Sequence, residues 1–468
     1  MDCISVDLGS TYTKGGLFSF HEGSLKLVSR ATVPTTPFDL SAGFNICIQA
    51  LSKGTQTDYD IPIVFSSSAL GGLRIAALGI VPDVTMKMAK LTALSAGGRV
   101  SQVFSYKLTE DDLVSLEQED PDIILFAGGT DGGNEDYIHH NARVLAGSTL
   151  KSSIIYCGNR TMKTEVGKIL SGREIHFTAN ILPALNEPAP EEAREKIREI
   201  FLEKIVYGKG LDRIIEKTGT RPVPTPLGMY EYAGLISEHS DEWKEFCMID
   251  MGGATTDFYS SCRESSVSEE VVIRGIREPD IKRTVEGDMG MRINALTVLQ
   301  TANRFLREAI LRTGLDFEEF ECFVQKVSEK PDFLPSGKVE KEFDRILASA
   351  CVSVSAERHA GRVESIYTSG GRVKLQTGKN LSGVKKVIGS GGYLSRINAP
   401  VWQRNFIDDK GWEILLPQSI EYYRDEKYLF PLLGNIARLY PDESVVLGID
   451  ELKKEELSGF GGYSGNPE

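Results

Sequence analysis

The chain has no Cys-x-x-Cys pair, and its seven cysteines (Cys3, Cys47, Cys157, Cys247, Cys262, Cys322 and Cys351) are odd in number and scattered. That excludes a disulfide framework and leaves a zinc site with little support. It points to reduced thiols in a cytoplasmic protein. No apolar run approaches the length that spans a bilayer. No basic region followed by an apolar stretch and a cleavage site precedes the first strand, so no membrane partner is expected. Positive charge is in deficit: 53 Lys and Arg against 66 Asp and Glu leave a net charge of −13. A nucleic-acid partner bound through a broad basic face is therefore not expected. Two common nucleotide signatures are missing as well. There is no G-x-x-x-x-G-K-S/T loop and no G-x-G-x-x-G after a strand, and "AGGTDGG" has its glycines at the wrong spacing.

What is there is an ordinary globular composition, 41% apolar and 25% charged. At 468 residues the chain is too long for one core, so two or more domains are expected. Residues 2–8, 14–20 and 24–33 read as successive strands, and a further strand at 61–65 runs into a Ser/Gly-rich loop. A helix is expected over 83–95, ending at Gly97-Gly98. "DIILFAGG", "NEDYIHHNARVLAG", "SSIIYCGN", a helix over 160–170 and "REIHFTA" alternate strand and helix, which implies a parallel sheet. Residues 189–217 carry mixed charges at helical spacing. The Pro-rich "GTRPVPTPLG" (219–228) reads as a linker or loop. A second strand system starts at Phe246, residues 288–360 read as mainly helical, and 385–397 read as strand, Gly-rich turn and helix. The polar, Gly-rich end of the chain is expected to fray.

One short stretch occurs twice. "VDLGSTYTK" (6–14) and "IDMGGATTD" (249–257) align so that Asp7 meets Asp250, Gly9 meets Gly252 and Thr13 meets Thr256. Each leaves one apolar strand and enters another. An Asp at a strand end offers a carboxylate for Mg²⁺ or its bound waters. The glycines let the backbone approach an anion. Turn amides and the hydroxyls of Ser10, Thr11, Thr13, Thr255 and Thr256 suit phosphate oxygens, and Lys14 adds a charge. Alone, each stretch reads as a turn whose Asp caps the backbone. As a matched pair, they read as two jaws around a polyphosphate. A third element, "VIGSGGYLSRI" (387–397), places Gly389, Ser390, Gly391 and Gly392 after an apolar strand, where a purine and ribose or a phosphate can approach; a plain strand-to-helix turn has the same pattern.

The three motifs in this order resemble the actin, sugar kinase and Hsp70 superfamily of ATPases. The resemblance implies an α/β fold of two actin-like lobes, duplicated ribonuclease H-like domains with additional α/β and helical subdomains, closing over ATP and Mg²⁺. "MIDMGGATTDFYS" is especially similar to the second phosphate loop of the Hsp70 branch. It implies Asp250 and Asp257 near the magnesium and Thr255 against phosphate. The longer set "VDLGSTYTK", "FSSSALGGLRIAALGIVPD", "GGTDGGNEDYIHHNA", "IDMGGATTD", "VEGDMGMR", "ERHAG" and "FPLLGNIARLYP" resembles the MutL-type accessory protein of adenosylcobalamin-dependent glutamate (methylaspartate) mutase. That family implies an ATP-driven reactivating chaperone with mutase subunits as partners; assembly into a homo-oligomer is left open.

The resulting expectations are specific. Asp7 and Asp250 position Mg²⁺ through water, and Asp257 supports them. Gly9, Ser10, Thr11, Thr13 and Lys14 hold phosphate from one side, with Gly252, Gly253, Ala254, Thr255 and Thr256 opposite, and Gly389 to Gly392 hold the adenosine. Asp131, or alternatively Glu135, orients the attacking water; each equally suits the start of a helix. Glu286 and Asp288 either border the nucleotide or cap a helix. Arg358 and His359 complement a helix C-terminus, with Gly361 as its cap. His139 and His140 face different helix sides and have no spaced partner for a metal. Ser66 to Ser68 form a hydroxyl-rich strand exit suited to a plain loop, a phosphate or a partner. The expected domains are 1–80, a first lobe; 81–240, an α/β subdomain or insertion; 241–287, a second lobe; 288–380, helical; 381–450, the rest of the second lobe; and 451–468, a flexible tail. Rival readings are a small-molecule kinase of the same fold and a nucleotide-gated scaffold.

Overall fold

Ile4, Val6 and Leu8 alternate with small residues, as a strand requires. In β1 (Asp2–Leu8) six of seven residues are buried, because the strand is central and both faces of its sheet are covered. β1 pairs antiparallel with β2 (Tyr12–His21), which pairs with β3 (Ser24–Pro34). After α1 (Leu40–Leu51), β4 (Ile63–Ser67) lies parallel to β1 on the other side. The computed structural model describes residues 2–52, 61–68, 73–185, 187–206, 210–263, 271–368, 371–398 and 401–456. Most of the expected tail, 457–468, therefore lies outside the described residues.

The chain next builds a separate parallel sheet. β5 (Arg74–Gly79) leads through a π-helical turn, Pro82–Met86, into α2 (Lys87–Ser95). β6 (Arg99–Ser105), α3 (Glu110–Glu119), β7 (Ile123–Phe126), α4 (Asp136–Gly147), β8 (Ser153–Tyr156), α5 (Lys163–Ile169) and β9 (Ile175–Phe177) follow. The strand order is β6-β5-β7-β8-β9, all parallel. One face packs Ile75, Ala77 and Leu125 against α2 and against α6 (Glu191–Val206). The other packs Leu78, Phe126 and Tyr156 against α3, α4 and α5.

After α7 (Leu211–Thr218) the chain returns to the first sheet. The stretch 219–228, expected as a linker, instead supplies β10 (Val223–Pro224), parallel to β4, and opens α8 (Thr225–His239). Both prolines fit for a local reason. Pro224 sits on an edge strand and Pro226 in the first helical turn, where a missing amide costs nothing.

The second half repeats the plan. β11 (Phe246–Met251) and β12 (Thr256–Ser261) form an antiparallel hairpin. After β13 (Val271–Ile273), β14 (Ile281–Glu286) pairs with β12. Four helices follow: α9 (Ala295–Thr301), α10 (Asn303–Thr313), α11 (Phe317–Glu329) and α12 (Lys338–His359). β15 (Arg362–Thr368) and β16 (Gly371–Thr377) join β13 in a small sheet, and β17 (Lys386–Ser390) runs parallel to β11. The helix expected after β17 is one 3-10 turn, Leu394–Arg396. β18 (Glu413–Ile414), β19 (Glu421–Arg424), α13 (Phe430–Ile436), α14 (Pro441–Asp450) and β20 (Lys453–Lys454) complete the chain.

The first sheet reads β3-β2-β1-β4-β10 and the second β14-β12-β11-β17-β19-β20. Five positions match, hairpin to hairpin and parallel strand to parallel strand. This is the actin-like arrangement of two related α/β lobes. The lobes also exchange helices: α8, from the first, packs on β12 and β14, whereas α13, from the second, packs on β1 and β4. The two helices cross where a Cβ at Gly434 would lie 2.9 Å from the Gly228 carbonyl oxygen. Only glycine permits that approach. Tyr232, Ile236, Phe430, Leu433 and Ile436 bury the joint.

Candidate functional site

The two hairpins agree in register as well as in sequence. Asp7 stands opposite Lys14 and Leu8 opposite Thr13; Asp250 stands opposite Asp257 and Met251 opposite Thr256. The turns are the same size, closed by Gly9 N–H to Tyr12 O at 3.1 Å and by Gly252 N–H to Thr255 O at 2.9 Å. They also meet, since a Cβ at Gly253 would sit 3.4 Å from the Thr11 hydroxyl. The only charge difference at matched positions of the strand exits is Lys14 against Asp257.

The match extends to the parallel neighbours. Ser66 of β4 is level with Asp7, and Ser390 of β17 is level with Asp250. Ser66 donates to Asp7 Oδ1 at 3.0 Å, and the Thr225 hydroxyl donates to the same oxygen at 2.7 Å. Asp7 Oδ2 points under the hairpin turn, 3.9 Å from a Cβ built on Gly9. Burial raises the Asp7 pKa, opposed by Lys14 and the two hydroxyls. Asp250 is half-buried and has no hydrogen-bond partner among the described residues. Burial and then the Asp257 charge push it up to about 7, with Lys14 opposing. Lys14 is itself pushed down to about 8 by burial, although Asp7, Asp250 and Asp425 favour its charge. Its Nζ lies 3.0 Å from the centre of the Tyr428 ring. A desolvated, unpartnered carboxylate beside a second one is a fitting seat for a divalent cation and its waters.

Asp257 is differently placed. Its Oδ1 accepts from Arg283 Nε at 2.8 Å, and a second guanidinium nitrogen lies 2.6 Å away. Its Oδ2 takes a long contact of 3.4 Å from the Thr255 hydroxyl. Arg283, buried in β14, also donates to Leu94 O at 2.6 Å and Gly98 O at 3.1 Å. One guanidinium thus ties the second hairpin to the C-terminal end of α2, across the lobes. Thr13 and Thr256 turn their hydroxyls inward, to Thr35 at 3.1 Å and Met289 O at 2.6 Å. The turn residues 9–12 and 252–255 remain half-buried.

In the glycine turn, Gly391 has φ 98° and a Cβ there would lie 2.2 Å from Met251 O. A Cβ at Gly389 would meet the Tyr422 hydroxyl at 1.9 Å, whereas Gly392 faces open space and is exposed. Ser390 is buried and donates to Asp425 Oδ2 at 2.9 Å. Asp425 also accepts from Leu429 N at 2.7 Å and Phe430 N at 3.2 Å, at the start of α13. Asp131 lies on the other α/β sheet. Its Oδ1 accepts from Arg160 N at 3.0 Å and Asn180 Nδ2 at 2.9 Å, and none of these bonds reaches a hairpin. Glu135 accepts from the Thr161 hydroxyl at 3.1 Å.

Several expectations are corrected. Glu286 and Asp288 cap nothing: both bind Arg358, at 2.7 Å each. Arg358 stands in the last turn of α12, as expected, and is in addition their ion-pair partner. His359 is fully buried between the Thr284 and Ser260 hydroxyls, 2.8 Å from each, and burial holds its pKa well below the usual value. Ala360 takes the C-cap position, and Gly361 instead admits the backbone of Gly378. Ser66 is no plain loop residue. Beside these groups is a polar cleft of about 530 Å³, lined by Lys90, Arg99, Ser101, Glu286, Asp288 and Arg358 among others. Arg283 and Asp425 escaped the sequence reading because each is brought in by strand pairing, β14 on β12 and β19 on β17, which no local pattern in the sequence announces. The level pairing of Ser66 and Ser390 was the one signal available, through their strand-end positions.

Comparison with known proteins places these features in context. A family model described as MutL protein matches residues 3–452. Protein MutL of Clostridium tetanomorphum is 35% identical over 453 residues, covering 94% of this chain and 97% of that protein. Among solved structures, a gluconate kinase from Lactobacillus acidophilus is similar at 10% identity, with 97% of this chain and 92% of that one covered and a TM-score of 0.33. A diol dehydratase-reactivating factor in nucleotide-free form is similar at 11% identity, with 64% and 74% covered and a TM-score of 0.23. Scores this low establish neither a shared activity nor a shared partner.

Proposed function

The chain belongs to the MutL protein family, and from that premise we propose that it is an ATP-binding, ATP-hydrolysing accessory protein of an adenosylcobalamin-dependent glutamate or amino mutase, a reactivating chaperone of the cytoplasm. The single observation that carries the nucleotide part is the pair of hairpins in matched register, whose tips meet and whose acids flank Lys14. Turn amides of 10–12 and 253–255 hold phosphate oxygens from two sides, those of Gly9 and Gly252 being used to close the turns. Asp7 Oδ2 and the Asp250 carboxylate would hold Mg²⁺ by accepting hydrogen bonds from its waters. Magnesium, when bound, neutralises charge on the transferring phosphoryl group. Lys14 moves its charge from the carboxylates to the phosphates. Arg283 fixes Asp257 in β12 and so the start of the strand that follows Thr255. The exposed Gly392 gives the adenosine an approach to the backbone.

The mutase part rests on the motif resemblance and on mechanical sense. An adenosylcobalamin enzyme that loses its adenosyl group keeps a dead corrin in a tight site. Opening such a site requires work from a two-state device. Two lobes joined by α8, α13 and the Arg283 bridge are such a device. Mutase inactivated with hydroxocobalamin should regain activity when this chain, Mg-ATP and fresh cofactor are added. No regain overturns the chaperone reading.

The 530 Å³ cleft beside β14 favours a second reading, a small-molecule kinase, because an acceptor would have room there. ATP turnover measured without any acceptor separates the two. Turnover that requires a metabolite supports the kinase.

A further inference from the structure

We propose that the cleft of about 530 Å³ between the parallel α/β sheet and the second lobe binds a compact organic dianion, a dicarboxylate or a phosphate ester. The inference goes beyond the nucleotide clamp and the mutase reading, and it needs neither. A cavity of this volume lies in the range that holds small metabolites. Its walls carry the edge strands of two different sheets, β6 on one side and the end of β14 with Gly287 and Asp288 on the other. Two stretches that the clamp leaves unused, "VEGDMGMR" and "ERHAG", contribute Glu286, Asp288 and Arg358.

The charges on these walls are unevenly satisfied. Arg358 binds Glu286 and Asp288 at 2.7 Å each. Arg362 binds Asp408 at 3.1 Å, and Glu119 has Arg74 at 3.9 Å. Lys90 and Arg99 are exposed, and neither has a hydrogen bond or an ion pair among the described residues. Glu286 feels the Lys90 charge, but no bond joins them. Two cations thus line the cleft without a bonded partner. Arg99 is placed by its surroundings. Its guanidinium lies against the Gly287 backbone, where a Cβ would fall 2.6 Å from Nε and 2.8 Å from Nη2. The acids on either side of that glycine, Glu286 and Asp288, both accept from Arg358 instead. The Arg99 fork is left open, and an arginine fork takes a carboxylate or a phosphate through two bonds. Ser101 adds a donor. β6 pairs Val100 with Ile75 and Gln102 with Ala76, so Ser101 is the extra residue of a bulge, a device that re-aims a side chain. Its hydroxyl is buried without a hydrogen-bond partner among the described residues. A guanidinium, an ammonium and an orphan hydroxyl on one wall call for an anion with oxygen acceptors at both ends. The opposite wall tolerates it because Arg358 stands on both of its acids.

The test uses the full chain. Calorimetry titrates it with succinate and, in a separate arm, with glycerol 3-phosphate. The wild type is compared with Arg99→Gln, Lys90→Gln and a control, Arg304→Gln, which removes an exposed cation outside the cleft. Urea unfolding checks that each variant is folded. The wild type should bind at least one of the two anions saturably, and the arm that responds names the class. Arg99→Gln and Lys90→Gln should each weaken that binding by about tenfold or more with the unfolding curve unchanged, and Arg304→Gln should leave it as it was. No binding in either arm overturns the proposal. So does binding that survives either cleft substitution, because the anion then sits at the hairpins or elsewhere on the surface. An equal loss in all three variants overturns it as well, since net charge alone would account for the binding.

Discussion

Arg283 is the residue whose removal should be felt most. Its guanidinium is 2% exposed and gives two contacts to Asp257, at 2.6 and 2.8 Å, and two to the carbonyls of Leu94 and Gly98. Arg283→Met keeps most of the volume and removes the charge. Asp257, itself 7% exposed, is then a buried carboxylate without its cation. Breaking a buried pair from one side costs about 3–5 kcal/mol. Adding Asp257→Asn removes the stranded charge, so the double variant should recover at least half of the loss. Urea unfolding followed by tryptophan fluorescence suits the measurement, because Trp243 and Trp402 are buried. A loss below about 1 kcal/mol, the range of a solvent-exposed pair, would refute the reasoning. It would mean that water reaches the pair and that the second hairpin is not tied to α2.

Three further outcomes are expected. Asp250 is raised to about 7 by burial and Asp257, so below that pH it lacks the charge that holds a metal-bound water. Affinity for Mg-nucleotide should therefore fall as pH drops through that value, by about tenfold per pH unit well below it, and calorimetric titration of Asp250→Asn should lack the inflection. The same shift means the folded chain holds this proton more tightly than the unfolded one. The carboxyl thus costs stability as pH rises from the ordinary 3.8 towards 7. Gly391→Ala forces a Cβ to 2.2 Å from Met251 O at φ 98° and should lower the unfolding free energy by about 2 kcal/mol or more; an unchanged unfolding curve would show that the turn relaxes freely. Asp425→Ala strips Ser390 and the first amides of α13 of their acceptor and should cost about 1–3 kcal/mol, read by the same unfolding assay.

Much of this architecture was legible along the chain. Ile4, Val6 and Leu8 announce β1, and the paired Asp-x-Gly turns announce two related lobes, because local pattern and turn chemistry act over a few residues. The parallel sheet was legible for the same reason, from its alternating strands and helices. What escaped depends on tertiary pairing, from 26 positions apart for Arg283 and Asp257 to 218 for Thr225 and Asp7. Thr225 reads as part of a Pro-rich linker until β10 docks on β4 and delivers its hydroxyl to Asp7. Arg283 reads as one cation among many until β14 lies beside β12. Arg358 and His359 look alike as residues of a helix end, yet one is an ion-pair partner and the other a neutral core imidazole. Burial separates them, and burial is set by tertiary packing rather than by neighbours in sequence.

The central claim is that the two hairpins form one magnesium-dependent nucleotide clamp. Titration calorimetry of a non-hydrolysable ATP analogue, with and without Mg²⁺, on the wild type, Asp7→Asn and Asp250→Asn tests it most directly. The clamp predicts Mg²⁺-dependent binding to the wild type and a loss of about tenfold or more in each variant, because the acids come from opposite lobes and both are needed. Equal binding to all three proteins, or binding indifferent to Mg²⁺, would contradict it.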